Sequence, residues 1–178
     1  MERKLQTIEK WSQAQKRTAT VKFDDLFTED SIIELKGLGA SSTLIDAKTA
    51  SEYSKAVGSD WKIKKTWLEG ERVHAVLTEQ NEWLDAAGIP EASYEGEFFI
   101  KDDKIDTIHL QPTLETVQEQ ARALSKFSIW VGREHPQQYS DILVNGKLIH
   151  DENTGRLLVK LMHQWREETE SKLPTSSE

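Results

Sequence analysis

GERVHAVLTEQNEWLDAAGIPEASYEGEFFIKDDKIDTIHLQP, from Gly70 to Pro112, is the stretch that decides the fold. Three segments rich in apolar, aromatic and β-branched residues are separated by two turn signals, Ala87-Gly88-Ile89-Pro90 and Asp102-Asp103-Lys104. This pattern predicts a three-stranded antiparallel meander. Just upstream, Trp61 to Glu69 alternates, with Trp61, Ile63, Lys65 and Trp67 on one face, and predicts a long strand that turns at Glu69-Gly70.

Further toward the N-terminus the period changes. Leu5, Ile8, Trp11 and Gln15 recur at helical spacing and predict a helix over residues 2–18, with Lys4, Lys10, Lys16 and Arg17 solvated. A short helix is expected over Val21 to Phe27 and a short strand over Ser31 to Leu35. Gly37 to Ser42, GLGASS, reads as a loop. It lacks the Lys-Ser/Thr of a phosphate-binding loop and receives no nucleotide role. Ala50, Tyr53 and Val57 share a stripe of a helix from Asp46 to Val57, and Gly58 is its stop signal.

Beyond Pro112 the chain reads as helical. Leu114, Val117, Ala121, Leu124 and Phe127 predict a helix reaching Val131 or Arg133. Pro136 opens another, carrying Tyr139, Ile142 and Leu143 and stopped by Asn145-Gly146. Asn153 or Thr154 is expected to cap a last helix with Leu157, Leu158, Leu161, Met162 and Trp165 on one face, followed by a frayed tail, LPTSSE. The order predicts an α+β fold, a curved antiparallel sheet covered on its concave face by the N-terminal helices. Curvature leaves a conical hollow, a natural place for a small molecule. The expected division is a cone domain over residues 1–112, a helical C-terminal extension over 113–172 and a disordered tail over 173–178.

Composition narrows the function classes. The 178 residues contain no Cys, which excludes disulfides, thiolate metal sites and a Cys nucleophile. The net charge is −8 and no basic run stands out, so nucleic acid is not an expected partner. No apolar run reaches membrane-spanning length and the first residues lack a signal-peptide core, so a cytoplasmic protein is expected. Six Trp residues are many for this length, and Trp61, Trp67 and Trp83 read as sheet-packing or interface residues. The five His show no metal-ligand spacing, and no cofactor is expected.

The helix around Trp11, LFTEDSIIEL (Leu26 to Leu35), GERV, and GEFFIKDDKI (Gly96 to Ile105) together resemble the nuclear transport factor 2-like superfamily. That group includes SnoaL-like cyclases, ketosteroid isomerases and limonene-epoxide hydrolases. The resemblance covers roughly residues 1–112. It implies a cone-shaped, cystatin-like α+β barrel, a homodimer, and a pocket inside the cone. It also implies where catalytic groups would stand. The ketosteroid isomerase positions are similar to Trp11, Leu35 and Gly96, which include no base and no acid. The cyclase His and Asp positions are similar to Gly96 and Leu110. His109 is expected to point away from the cone if Leu110 points in.

The epoxide-hydrolase motif Thr-Glu-Arg-x-Asp resembles Thr78-Glu79-Gln80-Asn81-Glu82, with Gln80 at the Arg position and Glu82 at the acid position. Leu110 replaces the base, and Ile33 and Leu35 replace the water-positioning Tyr and Asn. The candidate catalytic residues are therefore Glu82 and Gln80, with His74 on the same face. The expected ligand-binding residues are Trp11, Ile33, Leu35, Tyr53, Tyr94, Gly96, Phe98, Ile108 and Leu110. Gly96 is expected to widen the pocket. A cone binding a small apolar ligand comes first among the expected functions. A hydrolase, isomerase or cyclase using Glu82 comes second, and a protein-interaction module built on the C-terminal helices third.

Overall fold

The computed structural model describes residues 2–37, 42–144 and 147–171. Most of the Gly37–Ser42 loop, the Asn145-Gly146 stop and the LPTSSE tail lie outside the described residues. Helix α1 (Glu2–Ala14) leads to a short turn of helix, α2 (Phe23–Leu26), and then to β1 (Phe27–Lys36). Next come β2 (Ser42–Asp46), α3 (Ala47–Val57), β3 (Asp60–Glu69), β4 (Arg72–Gln80), α4 (Glu82–Ala86), β5 (Ala92–Lys101) and β6 (Lys104–Pro112). The chain continues through α5 (Leu114–Glu134), α6 (Pro136–Ile142), a small hairpin of β7 (Leu143–Val144) and β8 (Lys147–Leu148), and α7 (Glu152–Ser171).

The meander is present as β4-β5-β6, extended by β3 on one side, in a six-stranded curved sheet ordered β2-β1-β6-β5-β4-β3. The sheet is mixed, because β1 lies parallel to β6, whereas the sequence led us to expect an antiparallel one. Strand β2 was not expected at all. It pairs antiparallel with β1, Ile33 opposite Ile45, and forms the far edge. Aspartates at positive φ (Asp102 at 50°, Asp103 at 61°) turn β5 into β6 as their sequence suggests.

A bulge between Ile63 and Lys65 corrects the reading of β3. The extra residue reverses side-chain alternation. Trp61 lies opposite Glu79 and faces inward, but Trp67 lies opposite His74, stacked on its ring at 5.3 Å on the outer face.

Caps fix the helix starts. Asp46 Oδ1 accepts from the Thr49 N–H at 2.8 Å to open α3, and Gly58, at φ 70°, closes it in the left-handed conformation. Helix α7 is capped by Asp151, whose Oδ1 accepts from the Thr154 N–H at 2.8 Å, and not by Asn153 or Thr154. One hydrophobic cluster joins the inner sheet face, through Val73, Leu77, Phe98 and Ile108, to α1, α3 and the C-terminal helices. Gly155 brings α7 close to α3: a Cβ there would lie 3.0 Å from Ala56 and 3.2 Å from Tyr53. No helix among the described residues is long and apolar enough to cross a membrane.

Candidate functional site

The site grows from the alternation of β4. Val73, Ala75, Leu77 and Glu79 share the inward face, and the first three fill the core with no exposure. Glu79 continues that row and is 7% exposed. The strand then stops. Asn81 caps α4, its side chain accepting from the Leu84 N–H at 2.9 Å, and the turn buries Trp83 and Leu84.

A cavity of about 440 Å³ lies between the inner sheet face and the helices. Trp11 of α1 and Gln15 just after that helix line it, with Tyr53 from α3, and Trp61, Glu79, Tyr94 and Leu110 from the sheet. Val117, Gln120, Ala121 and Leu124 of α5 and Leu148 and His150 beyond it also line the cavity, so the C-terminal helices supply one wall. Among the described residues Glu79 is the only carboxylate in that lining.

Neutral donors surround Glu79. Its Oε1 accepts from Ser59 Oγ at 2.6 Å and from Asn81 Nδ2 at 2.9 Å, and its Oε2 from the Tyr94 hydroxyl at 3.3 Å. Gln120 Nε2 of α5 donates to the same hydroxyl at 3.4 Å. Burial raises the Glu79 carboxyl above its usual 4.5, and the three hydrogen bonds oppose that only partly. Burial and the neighbouring Glu79 also raise Tyr53 and Tyr94, which stay protonated. His150 packs edge-on against Tyr53, ring centroids 4.9 Å apart, and burial lowers it from 6.5 to about 4, so its imidazole is neutral near pH 7. The wall therefore holds a carboxyl whose protonated form burial favours and, beside Tyr53, a neutral imidazole.

The expected catalytic pair is not in the cavity. Glu82 is the first residue of α4, and its Oε1 meets Arg17 Nη2 at 2.6 Å at the surface. Gln80 projects to the outer side, where its Oε1 accepts from Lys62 and its Nε2 donates to the Pro90 carbonyl. His74 is also outside, beside Glu69. The cause is one residue of phase: the row that faces inward ends on Glu79. Trp11, Ile33, Leu35, Tyr53, Tyr94 and Leu110 line the cavity as expected. Gly96, Phe98 and Ile108 do not; Phe98 and Ile108 are fully buried in the packed core instead. Gly96 widens nothing. A Cβ there would sit 2.9 Å from Leu77 and 3.0 Å from Phe98, whose side chains occupy the space. Trp61 and Trp83, expected to be packing or interface residues, line the cavity. His109 is on the outer face between Glu34 and Glu97, as its alternation with Leu110 implies. No cluster of three His, Asp or Glu side chains suited to a metal occurs among the described residues.

No protein-family model and no curated protein matches this chain. Solved structures do. An LEH-like epoxide hydrolase of M. tuberculosis is 14% identical over 72% of this chain and 97% of its own, with a TM-score of 0.50. An NTF2-like protein of unknown function from Cytophaga hutchinsonii is 8% identical over 65% of this chain and 94% of its own, with a TM-score of 0.48. The chain has the nuclear transport factor 2-like fold. Identity this low defines the fold and no activity.

Proposed function

We propose that the chain binds a small, largely apolar molecule in the cavity and holds it with directional hydrogen bonds at the Glu79 wall. The observation that carries this reading is the combination of a preformed hollow of about 440 Å³ with a buried, neutral-tending carboxyl in its side. In this reading residues 1–112 are the cone and 113–172 the extension that walls it. The C-terminal helices border the hollow without filling it, which weighs against a purely protein-interacting role. A homodimer belongs to the same proposal, and the exposed Trp67 and Leu68 on β3 are consistent with one. The acidic, cysteine-free composition fits a cytoplasmic location without nucleic-acid binding.

A second reading makes the chain an enzyme of hydrolase, isomerase or cyclase type, with Glu79 in place of Glu82 as the acid. The raised carboxyl beside Tyr94, facing a cavity that also holds neutral His150, favours it.

The test is a thermal-shift and calorimetric screen of neutral apolar compounds against the wild type and Ala50→Trp, which puts bulk into the lining from α3. Binding to the wild type that falls roughly tenfold or more in the folded variant supports the cavity as the site. Binding that ignores the added indole rejects it.

A further inference from the structure

Among the described residues His150 is the one histidine that borders the cavity. His74 and His109 stand beside carboxylates on the outer face, and His135 packs on Trp130, ring centroids 5.0 Å apart. His150 belongs to the C-terminal extension and lies between β8 and α7. Its backbone is fixed by the helix start, because the next residue, Asp151, caps α7 through the Thr154 N–H. Gly155 then seats α7 against Ala56 and Tyr53, and the His150 ring comes to rest on the Tyr53 ring.

The two ring nitrogens of His150 have different surroundings. One donates to the Leu148 carbonyl, which sets the tautomer: that nitrogen carries the proton and the other carries the lone pair. Burial keeps the ring uncharged near pH 7, so the lone pair is available. No side chain among the described residues donates to it, yet it is not sealed in protein as the Trp11 and Trp61 indole nitrogens are. The open space that His150 borders is the cavity. Glu79 offers no equal acceptor, because its oxygens are taken by Ser59, Asn81 and Tyr94. A ligand that uses the His150 lone pair must bring a donor. An ammonium group is disfavoured, since the burial that holds the imidazole uncharged acts against a cation beside it. An amide N–H brings a carbonyl that also needs a partner. A hydroxyl is neutral and adds the least polar surface.

We propose that the ligand is a mainly hydrocarbon molecule bearing a hydroxyl group, and that the C-terminal extension selects it through His150, whose second ring nitrogen accepts the hydroxyl proton in a hydrogen bond. This rests on the cavity-binding reading and names the ligand class for it.

2-Naphthol and 2-methylnaphthalene share a skeleton and exchange a hydroxyl for a methyl group of similar size, so they serve as paired probes. Their affinities for the full chain are measured by equilibrium dialysis near pH 7 in the wild type and in His150→Phe. Phenylalanine keeps an aromatic ring against Tyr53 and removes the acceptor. The variant should weaken 2-naphthol roughly three- to tenfold while changing 2-methylnaphthalene by less than about twofold. A second readout needs only the wild type, with His150→Gln supplying the assignment, and stands if His150→Phe does not fold. In nitrogen-15 NMR the resonance of the unprotonated His150 nitrogen should move toward the protonated one when 2-naphthol saturates the protein, and should stay in place with 2-methylnaphthalene. Equal weakening of both probes by the variant, or an unmoved His150 resonance with 2-naphthol bound, overturns the inference and leaves cavity binding intact. If neither probe binds, the cavity-binding reading falls and the inference falls with it.

Discussion

Glu79 and Glu97 stand on neighbouring strands of one sheet and on opposite faces of it, and their acidities move in opposite directions. Both are largely covered. Burial acts upward on each. On the inner face Glu79 receives hydrogen bonds from Ser59, Asn81 and Tyr94, all neutral, and its carboxyl stays raised. On the outer face Glu97 accepts from the Arg72 guanidinium at 2.8 Å and sits 3.1 Å from His109 Nδ1, and these outweigh its burial and lower it. Glu79 is the more deeply buried of the two and its partners are neutral, whereas Glu97 has a guanidinium beside it, and the two differences act in the same direction.

The largest effects should separate the faces by packing. Trp11→Ala removes a ring buried against Trp61 and Phe98 and should cost about 3–5 kcal/mol in urea denaturation. Phe99→Ala, on the outer face under Arg72 and beside His109, should cost less than about 2 kcal/mol. Equal losses would break the comparison.

His150 gives the next effect. Its folded pKa is lowered, so its contribution is complete above 6.5 and is lost as pH falls toward about 4. The wild type should lose up to about 3 kcal/mol more than His150→Gln across that window, measured by denaturation at both ends.

The two carboxylates should then show opposite pH slopes. Glu79 is raised, so its contribution is complete below 4.5 and is lost as pH rises through the folded value. The wild type should therefore weaken relative to Glu79→Gln on going upward. Glu97 is lowered, so its contribution is present above 4.5 and is lost as pH falls. Glu97→Gln should cost about 1 kcal/mol near neutral pH and nothing in acid.

The smallest effect belongs to Glu82. Its pair with Arg17 is half exposed, and Glu82→Gln should change stability by less than about 1 kcal/mol, less still in high salt, with ligand binding unchanged.

The meander, α1, α3 and the long C-terminal helices were legible because period, turn residues and caps agree in each. The site was only half legible. Alternation through Val73, Ala75 and Leu77 leads to Glu79, but the epoxide-hydrolase motif drew attention to Gln80 and Glu82. The missed signal was Asn81, a good cap residue, which ends β4 and throws Glu82 onto a helix at the surface. The β3 bulge has no sequence mark that would have placed Trp67 outside. Strand β2 was hidden because Thr43-Leu44-Ile45 follows the Gly37–Ser42 stretch and runs straight into the α3 cap. The part played by His150 and α5 depends on how α5 and α7 fold back over the cone, which local pattern does not encode.

The most direct test is a carboxyl-carbon NMR titration of the wild type, with Glu79→Gln and Glu97→Gln supplying the assignments. Glu79 should still be protonated as pH passes above 4.5, while Glu97 is ionised already below it. A Glu79 resonance that titrates together with Glu97, at or below 4.5, would contradict the account of Glu79 as a carboxyl raised by burial.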